Sequence, residues 1–320
     1  MKHVYLDWNI FDKIEKLEEL NDAEKKLFSR IEQLIIDGQI ICPYSNAHIN
    51  DLLRGYYKNP DFIPRHLDTL KRLTSNLCIV QYWGKDKVTW HYREVEEFFN
   101  SCLKDNEEGF RSFKDLAIDD FGLMKLQFEI LKLTPVSPNF KDVYKNGSIF
   151  NLMFPRTKTE MNHFAMCEDL YDFYQNMNKD YSLYKSLRTY VNQTKAKVKS
   201  EANKLTKLEK EIVNAPNYLN FDELWEKYTP KTKTYENPKF QRLTDTYFKI
   251  DFKGYKSDDR FSNMIDDSLH VSYAAHCDYF ITIDDKCHYK AAETYHKLGI
   301  ETKAMKPDEF INNLDFLLKK

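Results

Sequence analysis

Short apolar runs at the two ends of the chain predict strands that alternate with helices. Residues 3–6 form a β-prone run, and apolar residues at helical spacing follow it. Residues 39–42 predict a second strand that ends at Pro43, and residues 279–283 and 300–304 predict two more, separated by a helix over about 289–297. Strands that alternate with helices are typical of an α/β fold with a mainly parallel central sheet flanked by helices.

The middle of the chain has a different pattern. From residue 56 to residue 260 it has helical periodicity, many aromatic residues and lysines, and few strand signals. We therefore predict a large α-helical insertion at 56–260, which divides a core formed by 1–55 and 261–320. Within the insertion, apolar residues recur at intervals of three, four or seven between about 182 and 213, which predicts one long amphipathic helix there.

Charge and composition narrow the possible partners. The 48 Lys and Arg residues nearly balance the 50 Asp and Glu residues, so a nucleic-acid contact would need a local basic patch. The predicted long helix offers one, although a solvated helix face explains the same residues almost as well: Lys185, Arg188, Lys195, Lys197, Lys199, Lys204, Lys207 and Lys210.

The six cysteines are dispersed without a CxxC pair and predict free thiols. With no signal-peptide pattern and no apolar run of about 20 residues, we expect a cytoplasmic protein without a membrane span.

Aspartates follow or flank the predicted strands. Asp7 and Asp284 each come directly after a strand, and ligands of open α/β sheets bind beyond the carboxyl ends of the strands. We expect Asp267, in the first turn of a helix opened by Asp266, to converge there, together with Asp51 on the helix after the second strand. Asp266 is either a further ligand or the N-cap of its helix. Crowded carboxylates favour one or two Mg²⁺ or Mn²⁺ ions, which can activate water for attack on a phosphodiester.

Other polar residues lie close to these aspartates in the sequence. His48 precedes Asp51 by three residues and His270 follows Asp267 by three, so each either orients a carboxylate, contacts phosphate, or is simply packed in the core. The remaining candidates are expected to support the ligands by hydrogen bonding: Asn9, Ser45, Thr282 and Asp285.

Three segments resemble the PIN-like nuclease family. VYLDWNIF resembles the first strand of that family with its aspartate, and DDSLHVSYAAHCDYFITIDD resembles its third and fourth acidic positions. IETKAMKPDEFINNL resembles its last strand. The family usually has a glutamate on the helix after the second strand, whereas SNAHINDLLRG has Asp51 near that place.

The resemblance implies a PIN-like fold and a metal-dependent endonuclease. Asp7, Asp51, Asp267 and Asp284 would hold Mg²⁺ or Mn²⁺, and RNA is favoured over DNA as the substrate. A toxin, an antiphage effector and an RNA-processing enzyme are all compatible with this reading, as are an oligomer and a protein partner or inhibitor bound by the insertion.

Two alternatives remain open. A phosphatase of the haloacid-dehalogenase type also has an aspartate after its first strand, but it needs an acid two residues later, where this chain has Asn9. The other alternative is a catalytically inactive PIN-like protein that binds a partner through the insertion.

Overall fold

The chain forms two compact units in the computed structural model. The first contains Met1–Glu107, Thr232–Asp258 and Asn263–Lys320, and the second contains Glu108–Lys231 and Asp259–Ser262. The structure describes residues 1–82, 85, 87–108, 122–138, 140, 148–200 and 238–318. The first unit therefore continues past residue 55, the predicted end of the core, as far as Glu107.

Seven strands are described, all in the first unit. They are β1 (Lys2–Leu6), β2 (Ile40–Ile41), β3 (Tyr44–Ser45), β4 (Leu77–Val80), β5 (Thr89–Tyr92), β6 (Tyr279–Ile281) and β7 (Lys303–Met305). Four of them form a parallel sheet in the order β2-β1-β6-β7. This confirms the predicted α/β class with a mainly parallel sheet flanked by helices.

The described helices are numbered here in chain order. They are α1 (Trp8–Glu15), α2 (Asp22–Ile36), α3 (Asn46–Lys58), α4 (Ile63–Thr74), α5 (Val95–Glu108), α6 (Gly122–Leu133), α7 (Ser148–Met153), α8 (Thr157–Glu160), α9 (His163–Lys179), α10 (Tyr181–Ser200), α11 (Pro238–Phe252), α12 (Phe261–Ala274), α13 (Asp285–Leu298), α14 (Pro307–Asn312) and α15 (Leu314–Leu318). No described helix combines the length and the apolar character that a bilayer span requires.

The two central strands of the parallel sheet come from opposite ends of the chain. Val4 pairs with Tyr279 and Leu6 pairs with Ile281 in parallel register. Val4, Leu6 and Ile281 are fully buried in one apolar core, which also receives Phe11 from α1. Strands covered on both faces are apolar nearly throughout, which explains why these runs could be read from the sequence.

A second, smaller sheet combines β3 with two strands from the part of the chain that was predicted to be helical. β3 pairs with β4 in parallel and β4 pairs with β5 antiparallel. The predicted helical insertion at 56–260 thus did not include β4 and β5. β5 has no apolar sequence pattern because Thr89 and Tyr92 are exposed, while Trp90 and His91 are only half-buried.

Two of the predicted helices begin earlier than expected. α12 begins at Phe261, so Asp266 and Asp267 do not lie in its first turn and Asp266 is not its N-cap. α13 begins at Asp285 and contains the helix predicted over 289–297. The predicted long helix is present as α10 up to Ser200, and the remainder, residues 201–213, lies outside the described residues.

The second unit is helical in its described part. Ile149, Phe173 and Met177 of α7 and α9 form a buried cluster. Asp169 of α9 is buried and accepts hydrogen bonds from the Thr157 N–H and hydroxyl, both at 2.7 Å. That carboxylate thereby fixes α8 against α9.

A buried ion cluster joins α11 to α13 in the first unit. Lys290 of α13 has 0% exposure and its Nζ lies 3.1 Å from Oδ1 of Asp251, which is also fully buried. The same ammonium group forms an ion pair with Asp258 and lies 4.7 Å from the ring centroid of Tyr247. Burial alone would lower the pKa of Lys290, but Asp258 and Asp251 outweigh it and the pKa is raised.

Removal of this ammonium group should destabilise the protein strongly. Lys290→Met leaves two buried carboxylates without their cation, which costs about 3–5 kcal/mol of unfolding free energy. The matched control is Lys25→Met, because Lys25 pairs with Glu18 at the surface and such pairs contribute less than about 1 kcal/mol. Urea unfolding of both variants measures the difference, and equal small losses would contradict the role given to Lys290.

Candidate functional site

Asp7 lies at the carboxyl end of β1 and is held there by the neighbouring strand. Its N–H donates to the carbonyl of Ile281 at 2.9 Å, which extends the β1–β6 pairing by one residue. Thr282 Oγ1 and Asn9 Nδ2 both donate to Asp7 Oδ2 at 2.6 Å. Because both of these bonds reach Oδ2, Oδ1 remains the oxygen with which Asp7 can contact a ligand.

Asn9 and Thr282 also hold each other. Asn9 Nδ2 donates to Thr282 Oγ1 at 3.0 Å, and the N–H of Ile283 donates to Asn9 Oδ1 at 3.2 Å. These bonds connect the first turn of α1 to the segment that follows β6. This is the supporting position expected for Asn9 and Thr282.

Asp284 follows β6 and faces solvent. It is the N-cap of α13, where its Oδ1 accepts from the N–H groups of Lys286 at 2.6 Å and Cys287 at 2.8 Å. The cap occupies Oδ1, so Oδ2 can reach another partner. Asp285 is exposed as well, and its carboxylate pairs with Lys306 at 2.7 Å rather than with the aspartate cluster.

Asp267 projects from α12 towards the same group of carboxylates. Tyr247 of α11 donates its hydroxyl to Asp267 Oδ2 at 3.3 Å. Burial, followed by repulsion from Asp258 and Asp7, raises the pKa of Asp267 well above its usual range. Tyr247 was not predicted as a site residue, because a tyrosine at helical spacing is usually a core residue.

Asp51 lies on α3 with both of its oxygens paired. His270 Nε2 donates to Oδ2 at 2.8 Å, and Arg54 donates to Oδ1. Burial alone would raise the pKa of Asp51, but His270 and Arg54 outweigh it and lower the pKa. Asp51 is thus near the predicted cluster but carries two cationic or hydrogen-bonding partners of its own.

Asp266 shares one of those partners. Arg54 forms ion pairs with both Asp51 and Asp266 and so connects α3 to α12. Burial raises the pKa of Asp266 to about 6, although Arg54 opposes the rise. Arg54 was not predicted, yet its position three residues after Asp51 on one helix face was a readable signal.

His48 has a structural role. Its Nδ1 accepts from the N–H of Ser45 at 3.0 Å while its Nε2 donates to the carbonyl of Leu6 at 2.8 Å. Ser45 is the N-cap of α3, and the two residues form a capping box. Burial, with His270 nearby, lowers the pKa of His48 to about 3, so its ring is neutral at physiological pH.

Tyr5 contacts both the capping box of α3 and His270. Its hydroxyl lies 2.6 Å from Ser45 Oγ and 3.0 Å from Nδ1 of His270. The ring of His270 is therefore fixed at one nitrogen by Tyr5 and at the other by Asp51. His270 thus acts as an orienting residue for Asp51, one of the roles expected for it.

The donor chemistry of the cluster fits an oxygen-preferring cation. Burial raises the pKa of Asp7, and Asp51 and Asp284 add to the rise, so these carboxylates lie within electrostatic range of one another. Among the residues that the structure describes, no three His, Cys, Asp or Glu side chains stand in a metal-holding arrangement. A shared Mg²⁺ or Mn²⁺ ion would offset the repulsion and would require side-chain rotation of Asp7, Asp267 or Asp284.

Comparisons of this chain with protein-family models, with curated proteins and with solved structures find no match. The assignment of function therefore depends on the geometry of the aspartate cluster and on the sequence resemblance described above.

Neutralising Asp267 should stabilise the metal-free protein at high pH. A carboxyl group whose pKa is raised by folding contributes stability at low pH that is lost as the pH rises through the raised value. In EDTA, the unfolding free energy of Asp267→Asn relative to that of the wild type should rise by about 1 kcal/mol or more between pH 5 and pH 8. Urea unfolding at both pH values measures this, and a difference that shrinks as the pH rises would contradict it.

Proposed function

We propose that this protein is a divalent-metal-dependent endonuclease with a PIN-like core, and that RNA is its favoured substrate. The observation that carries the proposal is that Asp7, at the carboxyl end of β1, lies close enough to Asp267 on α12 for its charge to raise the pKa of Asp267. Buried carboxylates that oppose each other's ionisation are costly to a fold, and such groups concentrate at functional sites.

Asp7, Asp267 and Asp284 are the residues that would hold the ion. A bound Mg²⁺ or Mn²⁺ ion would activate water and stabilise the negative charge that develops on phosphate during hydrolysis. Asp51 is the weakest candidate of the four, because His270 and Arg54 occupy its two oxygens.

The surrounding residues would keep the ligands in place. Asn9 and Thr282 fix Asp7 through one oxygen, and Tyr247 does the same for Asp267. Supporting hydrogen bonds of this kind set the orientation of ligating carboxylates and contribute to metal affinity.

Asn9 also bears on the phosphatase alternative. A haloacid-dehalogenase mechanism needs a proton-transferring acid two residues after the first aspartate, and an amide cannot take that role. Asn9 instead uses its amide group to hold Asp7 and Thr282. The side chain at this position supports a ligand-orienting role rather than acid–base chemistry.

Replacing the proposed ligands should abolish cleavage without loss of the fold. Asp7→Asn and Asp267→Asn should each lower the cleavage rate at least about 100-fold, because each removes a charge that holds the ion. The matched control is Asp278→Asn, since Asp278 lies at the opposite end of the same sheet and pairs with Lys2 at 2.9 Å. End-labelled RNA and DNA are incubated with each protein in Mn²⁺, in Mg²⁺ and in EDTA.

Three results of this cleavage assay distinguish the proposed nuclease from its alternatives. Cleavage by wild type and Asp278→Asn in Mn²⁺ or Mg²⁺, lost in EDTA and in both ligand variants, would support the proposal. Undiminished cleavage by Asp7→Asn would exclude the site. A wild-type protein that cleaves neither nucleic acid with either metal would favour the inactive interaction protein.

A further inference from the structure

Arg54 occupies a position between two aspartates of the candidate site. Its Nη2 donates to Oδ1 of Asp51 on α3, and its Nη1 pairs with Oδ2 of Asp266 on α12. One guanidinium group therefore joins the two helices that carry acidic residues to the cluster. Its charge also acts on Asp267, since Asp267 contributes to the raised pKa of Arg54 against the lowering effect of burial.

In this arrangement both oxygens of Asp51 are already occupied and cannot bind a metal ion. Arg54 and His270 contact its two oxygens, so coordination by Asp51 would require one of these partners to leave. The carboxylates with an oxygen still available are Asp7, Asp267 and Asp284. Three carboxylates with retained waters suffice for one Mg²⁺ or Mn²⁺ ion.

Arg54 still faces solvent on one side. Its side chain is 42% exposed, whereas the side chains of Asp51 and Asp266 are 8% and 15% exposed. The buried carboxylates thus hold the guanidinium group from within the protein and leave part of it accessible from outside. A guanidinium group remains charged at any physiological pH, and its planar fork of donors matches phosphate oxygens.

We propose that Arg54 takes the place of a second metal ion. It contacts a non-bridging oxygen of the bound phosphodiester, while Asp7, Asp267 and Asp284 hold a single divalent ion. The inference rests on the proposed nuclease function. Phosphoryl transfer is often assisted by two cations, and an arginine can supply one of those charges without a further ion.

The reaction balances with Arg54 as a fixed charge. Water oxygen bonds to phosphorus, one P–O ester bond breaks, and the departing oxygen takes a proton from water to become a hydroxyl group. Arg54 neither gives nor takes a proton in this sequence. Its contribution is to stabilise the negative charge on the phosphate oxygens as the bond to water forms.

Counting bound Mn²⁺ tests this inference separately from activity. Electron paramagnetic resonance titration of the whole protein should give one Mn²⁺ ion per chain for the wild type. Arg54→Ala should bind a second ion, because Asp51 and Asp266 lose the cation that they share. The matched control is Arg72→Ala, since Arg72 is 47% exposed, pairs with Glu32 alone among the described acids, and should leave the count at one.

Cleavage rates of the same variants complete the test. Arg54→Ala should lower kcat about 100-fold, comparable to the loss of one donor that stabilises transition-state charge. Arg54→Lys, which keeps the charge but not the fork, should recover part of that loss. Arg54→Gln replaces Arg54→Ala in both measurements if thermal unfolding shows that the alanine variant does not fold.

The outcomes separate the two proposals. Two Mn²⁺ ions in the wild type, or an Arg54→Ala kcat equal to that of the wild type, would overturn the role of Arg54 and leave the nuclease proposal intact. A wild-type protein that cleaves no nucleic acid would overturn both. One ion in the wild type, two in Arg54→Ala and a reduced kcat would support both.

Discussion

The candidate site depends on the parallel pairing of β1 with β6. Val4–Leu6 and Tyr279–Ile281 come from opposite ends of the chain, and the pairing continues through the bond from the Asp7 N–H to Ile281. Closing so long a loop is entropically unfavourable, although the cost grows only slowly with length. Complete burial of Val4, Leu6 and Ile281 offsets it, and Asp7 and Thr282 meet only because these strands do.

This pairing concentrates negative charge where water is largely excluded. Burial raises the pKa values of Asp7, Asp266 and Asp267, so the fold works against the ionisation of each. Two cations at the edges of the cluster balance part of this negative charge. Lys290 pairs with Asp251 and Asp258, and Arg54 pairs with Asp51 and Asp266. Asp7 and Asp267 accept hydrogen bonds from Asn9, Thr282 and Tyr247, and neither forms an ion pair with a described residue, which leaves their charge for a ligand.

The sequence was informative where burial imposes a repeating pattern. Apolar runs directly before Asp7 and Asp284 predicted β1, β6 and their shared edge. β5 was missed because an edge strand with two exposed residues has no apolar run. The start of α12 was misplaced because Asp266 has the residue type of an N-cap, whereas the helix begins at Phe261. Tyr247 and Lys290 were missed because partners distant in sequence leave no periodic signal.

The departure of Asp51 from the PIN-like pattern has a physical counterpart in Arg54. The family usually has a glutamate near this place, and a glutamate reaches one methylene further than an aspartate. Asp51 is short enough for His270 and Arg54 to enclose both of its oxygens. Breaking such a largely buried pair would leave an uncompensated charge. The shorter acid and the arginine three residues later therefore form one ion-paired unit in place of the glutamate that the sequence resemblance implies.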